Sequence, residues 1–183
     1  WLKRTYTYDK LGRTTAIEYT DNMTGSSSDI KEGHYYTYGR NSNITGEDTI
    51  DNYGVANSSY YGERRQYSYD VNDRLIQDSV LKRTGENEFS QGETHYYQYD
   101  AAGNKISEET ERQRPDQKAE SAYTYNEFNQ LVSVVGEDMY EGTYTNRTYT
   151  YDSNGNQIKE TDTGGKETIY EYDADNRLKK ATG

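Results

Sequence analysis

An eight-residue pattern, Tyr-x-Tyr-Asp-x-x-Gly-Arg/Asn, occurs seven times in the 183 residues, with first tyrosines at Tyr6, Tyr36, Tyr67, Tyr97, Tyr123, Tyr149 and Tyr170. Intervals of 30, 31, 30, 26, 26 and 21 residues between these tyrosines mean that one supersecondary unit has been copied along the chain. Such a unit buries its apolar surface by stacking on its neighbours, so the whole chain, 1–183, reads as a single repeat array without a separate catalytic domain.

Within each copy the second tyrosine follows the first by two: Tyr8, Tyr38, Tyr69, Tyr99, Tyr125, Tyr151 and Tyr172. The residue between them is Thr7, Thr37, Ser68, Gln98, Thr124, Thr150 or Glu171. Period two in strand-favouring residue types predicts a half-buried β-strand with the tyrosines on its inner face. The carboxylates that follow, Asp9, Asp70, Asp100, Asp152 and Asp173, with Asn126 in the fifth copy, can accept hydrogen bonds from the backbone of a turn. Gly39 lacks that side chain, and the second copy is expected to be the loosest. Three residues past the Asp stand Gly12, Ser42, Asp73, Gly103, Asn129, Gly155 and Asn176, nearly all types that tolerate positive φ, with Ser42 the exception.

An apolar residue then opens a return strand. Ile44, Leu75, Leu131 and Leu178 come five residues after the Asp position, but Ile106 and Ile158 come six after it. A one-residue shift moves a side chain to the other face. The Ile106 and Ile158 copies are therefore expected to absorb an extra residue in the turn or a bulge, making a pair of copies the structural period.

Leu, Ile, Val and Phe number 22 in all, and the formal net charge is −11, a balance that ordinarily reads as disorder. The 22 tyrosines change that reading, because each can bury a ring while its hydroxyl keeps a polar partner. Tyr8, Tyr69, Tyr99, Tyr125, Tyr151 and Tyr172 are expected to be buried. Two strands per copy give roughly fourteen strands, and open twisted sheets beyond about ten curl. The predicted class is all-β: tandem antiparallel β-hairpins in a curved or spiral sheet.

The acidic balance works against a nucleic-acid partner. No apolar run is long enough for a membrane span or a signal-peptide core, the first residue is Trp1 rather than Met, and the chain reads as a segment of something longer. With zero cysteines there is no disulfide framework. Unpaired edges of a segment of sheet invite self-association.

The repeated Tyr-x-Tyr-Asp-x-x-Gly-Arg with Leu or Ile after the turn resembles the YD repeat of the Rhs family, which includes bacterial polymorphic toxins, insecticidal toxin complexes, wall-associated proteins and teneurins. The resemblance covers nearly the whole chain. It implies a β-spiral wall of a hollow shell in a large bacterial secreted or surface protein, one that encloses or presents a C-terminal toxin domain. The plug region, the aspartate-based autoproteolysis site and the toxin find no match in these residues. The expected partners are neighbouring repeats of the parent protein and an enclosed toxin domain.

No catalytic constellation is legible, and no cofactor is called for. His34 and His95 each precede a first motif tyrosine by two residues, and their equivalence reads as strand decoration. Asp152, Asn154 and Asn156 imitate the start of a calcium loop, but Gln157 and Thr163 stand where such a loop needs Gly and Glu. Those residues also suit a tight turn. Four Asn-x-Ser/Thr sequons, at Asn22, Asn43, Asn57 and Asn146, are what an Asn/Thr-rich chain yields by chance. The rival to a purely structural role is an adhesin-like module that binds glycan or protein through tyrosines outside the motif: Tyr60, Tyr61 and Tyr140.

Overall fold

The computed structural model describes residues 2–21, 30–51, 62–85, 88–114 and 116–183. They form fourteen β-strands: β1 Leu2–Tyr8, β2 Thr14–Asp21, β3 Ile30–Tyr38, β4 Ile44–Asp51, β5 Glu63–Tyr69, β6 Leu75–Arg83, β7 Phe89–Tyr99, β8 Lys105–Glu111, β9 Lys118–Tyr125, β10 Leu131–Asp138, β11 Thr143–Tyr151, β12 Gln157–Thr161, β13 Glu167–Tyr172 and β14 Leu178–Thr182. Strand order in the sheet is sequence order, and there is no helix among the described residues. By its internal contacts the chain divides into two compact units, residues 1–95 and 96–183. Each unit is a run of hairpins.

Every motif ends the first strand of a hairpin and supplies its turn. In the six hairpins whose register is described, the second motif tyrosine pairs with the residue five past the Asp position, and the ladder then skips one residue. Tyr8 pairs with Thr14 and Thr7 with Ala16, leaving Thr15 as the bulge; Tyr151 pairs with Gln157 and Thr150 with Lys159, leaving Ile158. Ile76 and Val132 occupy the same bulge in their copies.

The expected division into short and long turns is therefore corrected. Ile158 sits on a bulge that the other described hairpins also have, so the turn is the same and only the site of the apolar side chain differs. Among the six hairpins of described register the structural period is one hairpin.

Period two is visible in the exposure of the strands. In β9, Tyr123 and Tyr125 are half-buried while Ala122 and Thr124 are exposed; in β13, Tyr170 and Tyr172 are half-buried while Ile169 and Glu171 are exposed. The expected full burial of the second tyrosines does not occur. Tyr69, Tyr99, Tyr125, Tyr151 and Tyr172 are half-buried, and Tyr8 is 57% exposed. Among the described residues the only buried hydrophobic side chain is Ala16, and no large side chain is fully buried. A sheet of half-covered tyrosines holds its hairpins through ladders, ring contacts and hydroxyl bonds instead of an oily interior.

Candidate functional site

The recurring chemistry lies at the motif end of each hairpin. Asp9 Oδ1 accepts from the Leu11 and Arg13 N–H groups at 2.8 and 3.0 Å, while Oδ2 takes the Arg13 Nε at 2.7 Å. Asp70 and Asp173 hold Arg74 and Arg177 in the same way. In the Asp100 and Asp152 copies the partner is an amide, Asn104 or Asn156, at 2.9 Å from Oδ2. Asn126 receives the Phe128 and Gln130 N–H groups and donates its own amide to Gln130.

These bonds favour the ionised carboxylate. The Arg13, Arg74 and Arg177 backbone N–H groups hold Asp9, Asp70 and Asp173 below the usual carboxylate range, and the Asn104 and Asn156 side chains do so for Asp100 and Asp152.

All seven residues three past the Asp position have positive φ, from 59° at Asn129 to 93° at Gly103. Ser42, expected to be the exception, has φ 66°. It gains a compensating contact: Arg13 of the preceding turn donates through Nη1 to Ser42 Oγ at 3.1 Å and to the Gly39 carbonyl at 3.4 Å. The Gly39 turn, expected to be loosest, closes with backbone bonds of 2.9 and 3.1 Å, against 2.9 and 3.0 Å in the Asp9 turn.

The left-handed position, when it carries a side chain, is an acceptor for the hairpin before it. Asn43 donates to Asp73 at 2.9 Å, Asn104 to Asn129 at 2.9 Å and Asn156 to Asn176 at 2.8 Å. Sequence reasoning missed this turn-to-turn ladder. Its signal was the alternation of Gly with Ser, Asp and Asn at one position.

The second link is the tyrosine hydroxyl. Tyr38 donates to the Thr14 carbonyl at 2.6 Å, Tyr69 to Ile44 at 2.8 Å, Tyr125 to Lys105 at 3.0 Å, Tyr151 to Leu131 at 2.8 Å and Tyr172 to Gln157 at 3.0 Å. Each acceptor is the residue five past the preceding motif's Asp position. The inter-hairpin ladders stop two residues short of it, at Ala16, Gly46, Ser107, Ser133 and Lys159, so the hydroxyl serves a carbonyl that the ladder does not reach. Arg13 also stands over the Tyr38 ring at 4.5 Å. Burial raises the Tyr69, Tyr125 and Tyr151 hydroxyls above their ordinary value, which keeps them donors.

An Asp turn without tyrosines joins β12 to β13. Asp162 Oδ1 accepts from the Gly164 and Lys166 N–H groups at 2.9 Å, and Gly165 has φ 79°. The fragment Asp-x-x-Gly at 162–165 was its signal.

The remaining candidates fall elsewhere. His95 Nδ1 lies 3.0 Å from Asp78, a carboxylate with only 7% of its residue surface exposed, and His34 Nε2 lies 3.1 Å from Glu32; both are strand residues in carboxylate surroundings. The Asp152 carboxylate accepts from the backbone of Asn154 and Asn156 and from the Asn156 amide, which is the bonding of a turn. Tyr140 is 58% exposed at the β10–β11 turn, with Arg112 over its ring at 5.4 Å while that guanidinium grips Asp138 at 3.0 and 3.1 Å. Tyr60 and Tyr61 lie outside the described residues.

On the face opposite the motif tyrosines, the second unit has a groove of about 410 Å³ bounded by Tyr96, Val135 and Tyr144 and by Glu109, Glu120 and Glu137. Tyr144 is 55% exposed. Tyr96 immediately precedes a motif tyrosine, and that odd spacing is what sends it to the other face.

Residues 151–183 match the RHS Repeat family model. The crystal structure of TcdB2-TccC3 superposes with a TM-score of 0.67 at 17% identity, covering 97% of this chain and 9% of that one. The crystal structure of TcdB2-TccC3-TEV gives 0.66 at 17%, with the same coverage of 97% and 9%. The structure of the Photorhabdus luminescens Tc holotoxin pore, with a TccC3 mutation, gives 0.52 at 15%, covering 100% of this chain and 12% of that one. The chain thus spans about a tenth of the chains it matches. At these identities the likeness is one of fold. Comparison with the curated proteins finds no match. The family matched at 151–183 is the one the seven motifs resemble.

Proposed function

We propose that this chain is a wall segment, one continuous array over 1–183, of a large secreted or surface-exposed bacterial protein of the Rhs/YD type. Its immediate partners are the neighbouring repeats of the parent, and the wall they build encloses or presents a C-terminal effector domain. The segment itself carries out no catalysis.

The joint between hairpins carries this reading. One hydroxyl-to-carbonyl bond recurs in five successive-hairpin pairs, three in one register of turn contacts that also link Asp73, Asn129 and Asn176 to the preceding copy. Residues spent this uniformly on joining a unit to the next describe a structural wall, and the RHS repeat at 151–183 supports the same conclusion. The test is limited proteolysis of the parent protein. The region downstream of the array resists protease in the wild type and is cut when Tyr125 and Tyr151 are both changed to Phe. Equal cutting of the two proteins opposes a wall.

A second reading, glycan binding, draws on the groove, where two tyrosine rings face carboxylates that can accept sugar hydroxyls. Binding on a glycan array that disappears in Tyr96→Ala and Tyr144→Ala with the strand signal of circular dichroism intact favours it. Absence of binding in the wild type removes it.

A further inference from the structure

The five described joints between hairpins share one register. The residue seven past the Asp position faces the residue just before the first motif tyrosine: Ala16 with Tyr35, Gly46 with Gln66, Ser107 with Ala122, Ser133 with Thr148 and Lys159 with Ile169. Three of these joints are closed by opposite charges. In β4–β5, Glu47 faces Arg65 and Asp48 faces Arg64, with Asp48 Oδ2 at 2.6 Å from the guanidinium. In β8–β9, Glu109 stands opposite Glu120, and Lys118, opposite Glu111, reaches Glu109 at 2.5 Å and Glu111 at 3.4 Å to offset the two carboxylates. In β12–β13, Lys159 pairs with Glu167.

The same positions can be read on the two outer strands. On β1, Lys3 and Arg4 stand three and two residues before the first motif tyrosine, where β5 carries Arg64 and Arg65. On β14, Lys180 occupies the position of Lys159, and Ala181 and Thr182 stand where β4 carries Glu47 and Asp48. Neither outer strand contains an acidic residue, in a chain whose net charge is −11. Tyr8 is 57% exposed, with no described hairpin before it to receive its hydroxyl.

We infer that the β1 edge is a docking surface for one kind of partner: the return strand of another motif hairpin that carries carboxylates eight and nine residues past its Asp position, as β4 does. Lys3 and Arg4 meet those carboxylates, and Tyr8 donates to the carbonyl five past the partner's Asp position. A second copy of this chain, the pairing that open edges alone would invite, does not fit, because its β14 would set Ala181 and Thr182 opposite Arg4 and Lys3 and bring Lys180 beside them. Like charges across a strand pair are destabilising, and Lys on an edge is a known guard against unwanted pairing. The inference rests on the wall reading and adds a charge match, taken from the β4–β5 joint, by which the β1 edge accepts its neighbour.

Two arms test it. The first compares the light-scattering mass of the full chain with that of the Ala181→Glu/Thr182→Glu variant, which gives β14 the acidic pair of β4. The expected result is a wild type that stays at the mass of one chain and a variant that associates about tenfold more strongly, an effect lost in high salt and on adding Lys3→Glu/Arg4→Glu. The second titrates the wild type with the peptide Ile-Thr-Gly-Glu-Asp-Thr-Ile-Asp, the sequence of β4, and with its Gln-Asn counterpart at the two acidic positions. The acidic peptide should bind about tenfold tighter. Association of the wild type as strong as that of the variant, or equal binding of the two peptides, overturns the inference. Loss of the strand signal in circular dichroism of the wild type would instead sink the hairpin array beneath it.

Discussion

The Tyr151 hydroxyl donates to the Leu131 carbonyl at 2.8 Å, two residues beyond the point where the β10–β11 ladder stops at Ser133 and Thr148. That bond fastens the turn end of one hairpin to the bulge of the one before it. Four other copies make the same bond, so the second tyrosine of the motif acts as a latch.

Restoring the missing turn anchor should stabilise the second copy. In Gly39→Asp the new carboxylate would accept from the backbone of Asn41 and Asn43, as Asp9 does from Leu11 and Arg13, while the Thr45 methyl, 3.2 Å from the added Cβ, shifts slightly. The expected gain is about 0.5 to 1.5 kcal/mol in urea denaturation. A lower midpoint than wild type would show that a carboxylate at this position does not anchor the turn.

Two glycines should respond unequally to a side chain. At Gly136 an added Cβ would come within 2.6 Å of Ser121 Oγ and 2.8 Å of the Glu120 carbonyl, and Gly136→Ala should cost about 1 to 3 kcal/mol. At Gly12, φ is 77° with open space around the Cβ, and the same position in other copies holds Asn or Asp. Gly12→Asn should therefore cost under about 1 kcal/mol. Equal losses measured by denaturation would contradict the assignment.

Stability should fall at both ends of the pH scale. The turn carboxylates have folded values below 3.8, so their contribution is complete above the unfolded value and disappears as pH drops through the folded one. Tyrosines move the other way: Tyr35 is pushed up to about 12 by burial and by its bond to Glu18, and Tyr69, Tyr125 and Tyr151 are raised by burial. Their contribution is complete below pH 10 and is lost above it as the unfolded chain ionises first. Thermal midpoints across pH 2 to 12 should show a plateau with a loss on each side. A midpoint still rising above pH 10 would contradict the protonated hydroxyl as the donor.

The hairpins were legible in the sequence because the tyrosine period, the Asp and the left-handed position all act locally, within eight residues. What lay beyond that range was not legible. The bulge after each turn leaves no residue signature, since Thr15, Ile76 and Lys179 all occupy it. Ser42 was misjudged because its strain is offset by Arg13, 29 residues away. Tyrosine burial was overestimated for a similar reason: composition shows what could form a core, but only topology shows that the sheet leaves five of these six rings half-covered and Tyr8 exposed.

The most direct test is urea denaturation of two hydroxyl deletions, Tyr151→Phe and Tyr8→Phe. Each removes one oxygen and keeps the ring. Tyr151→Phe should lower stability by about 0.5 to 1.5 kcal/mol by leaving the Leu131 carbonyl without its donor, whereas Tyr8→Phe should leave the midpoint unchanged. Identical midpoints for the two variants would contradict the latch.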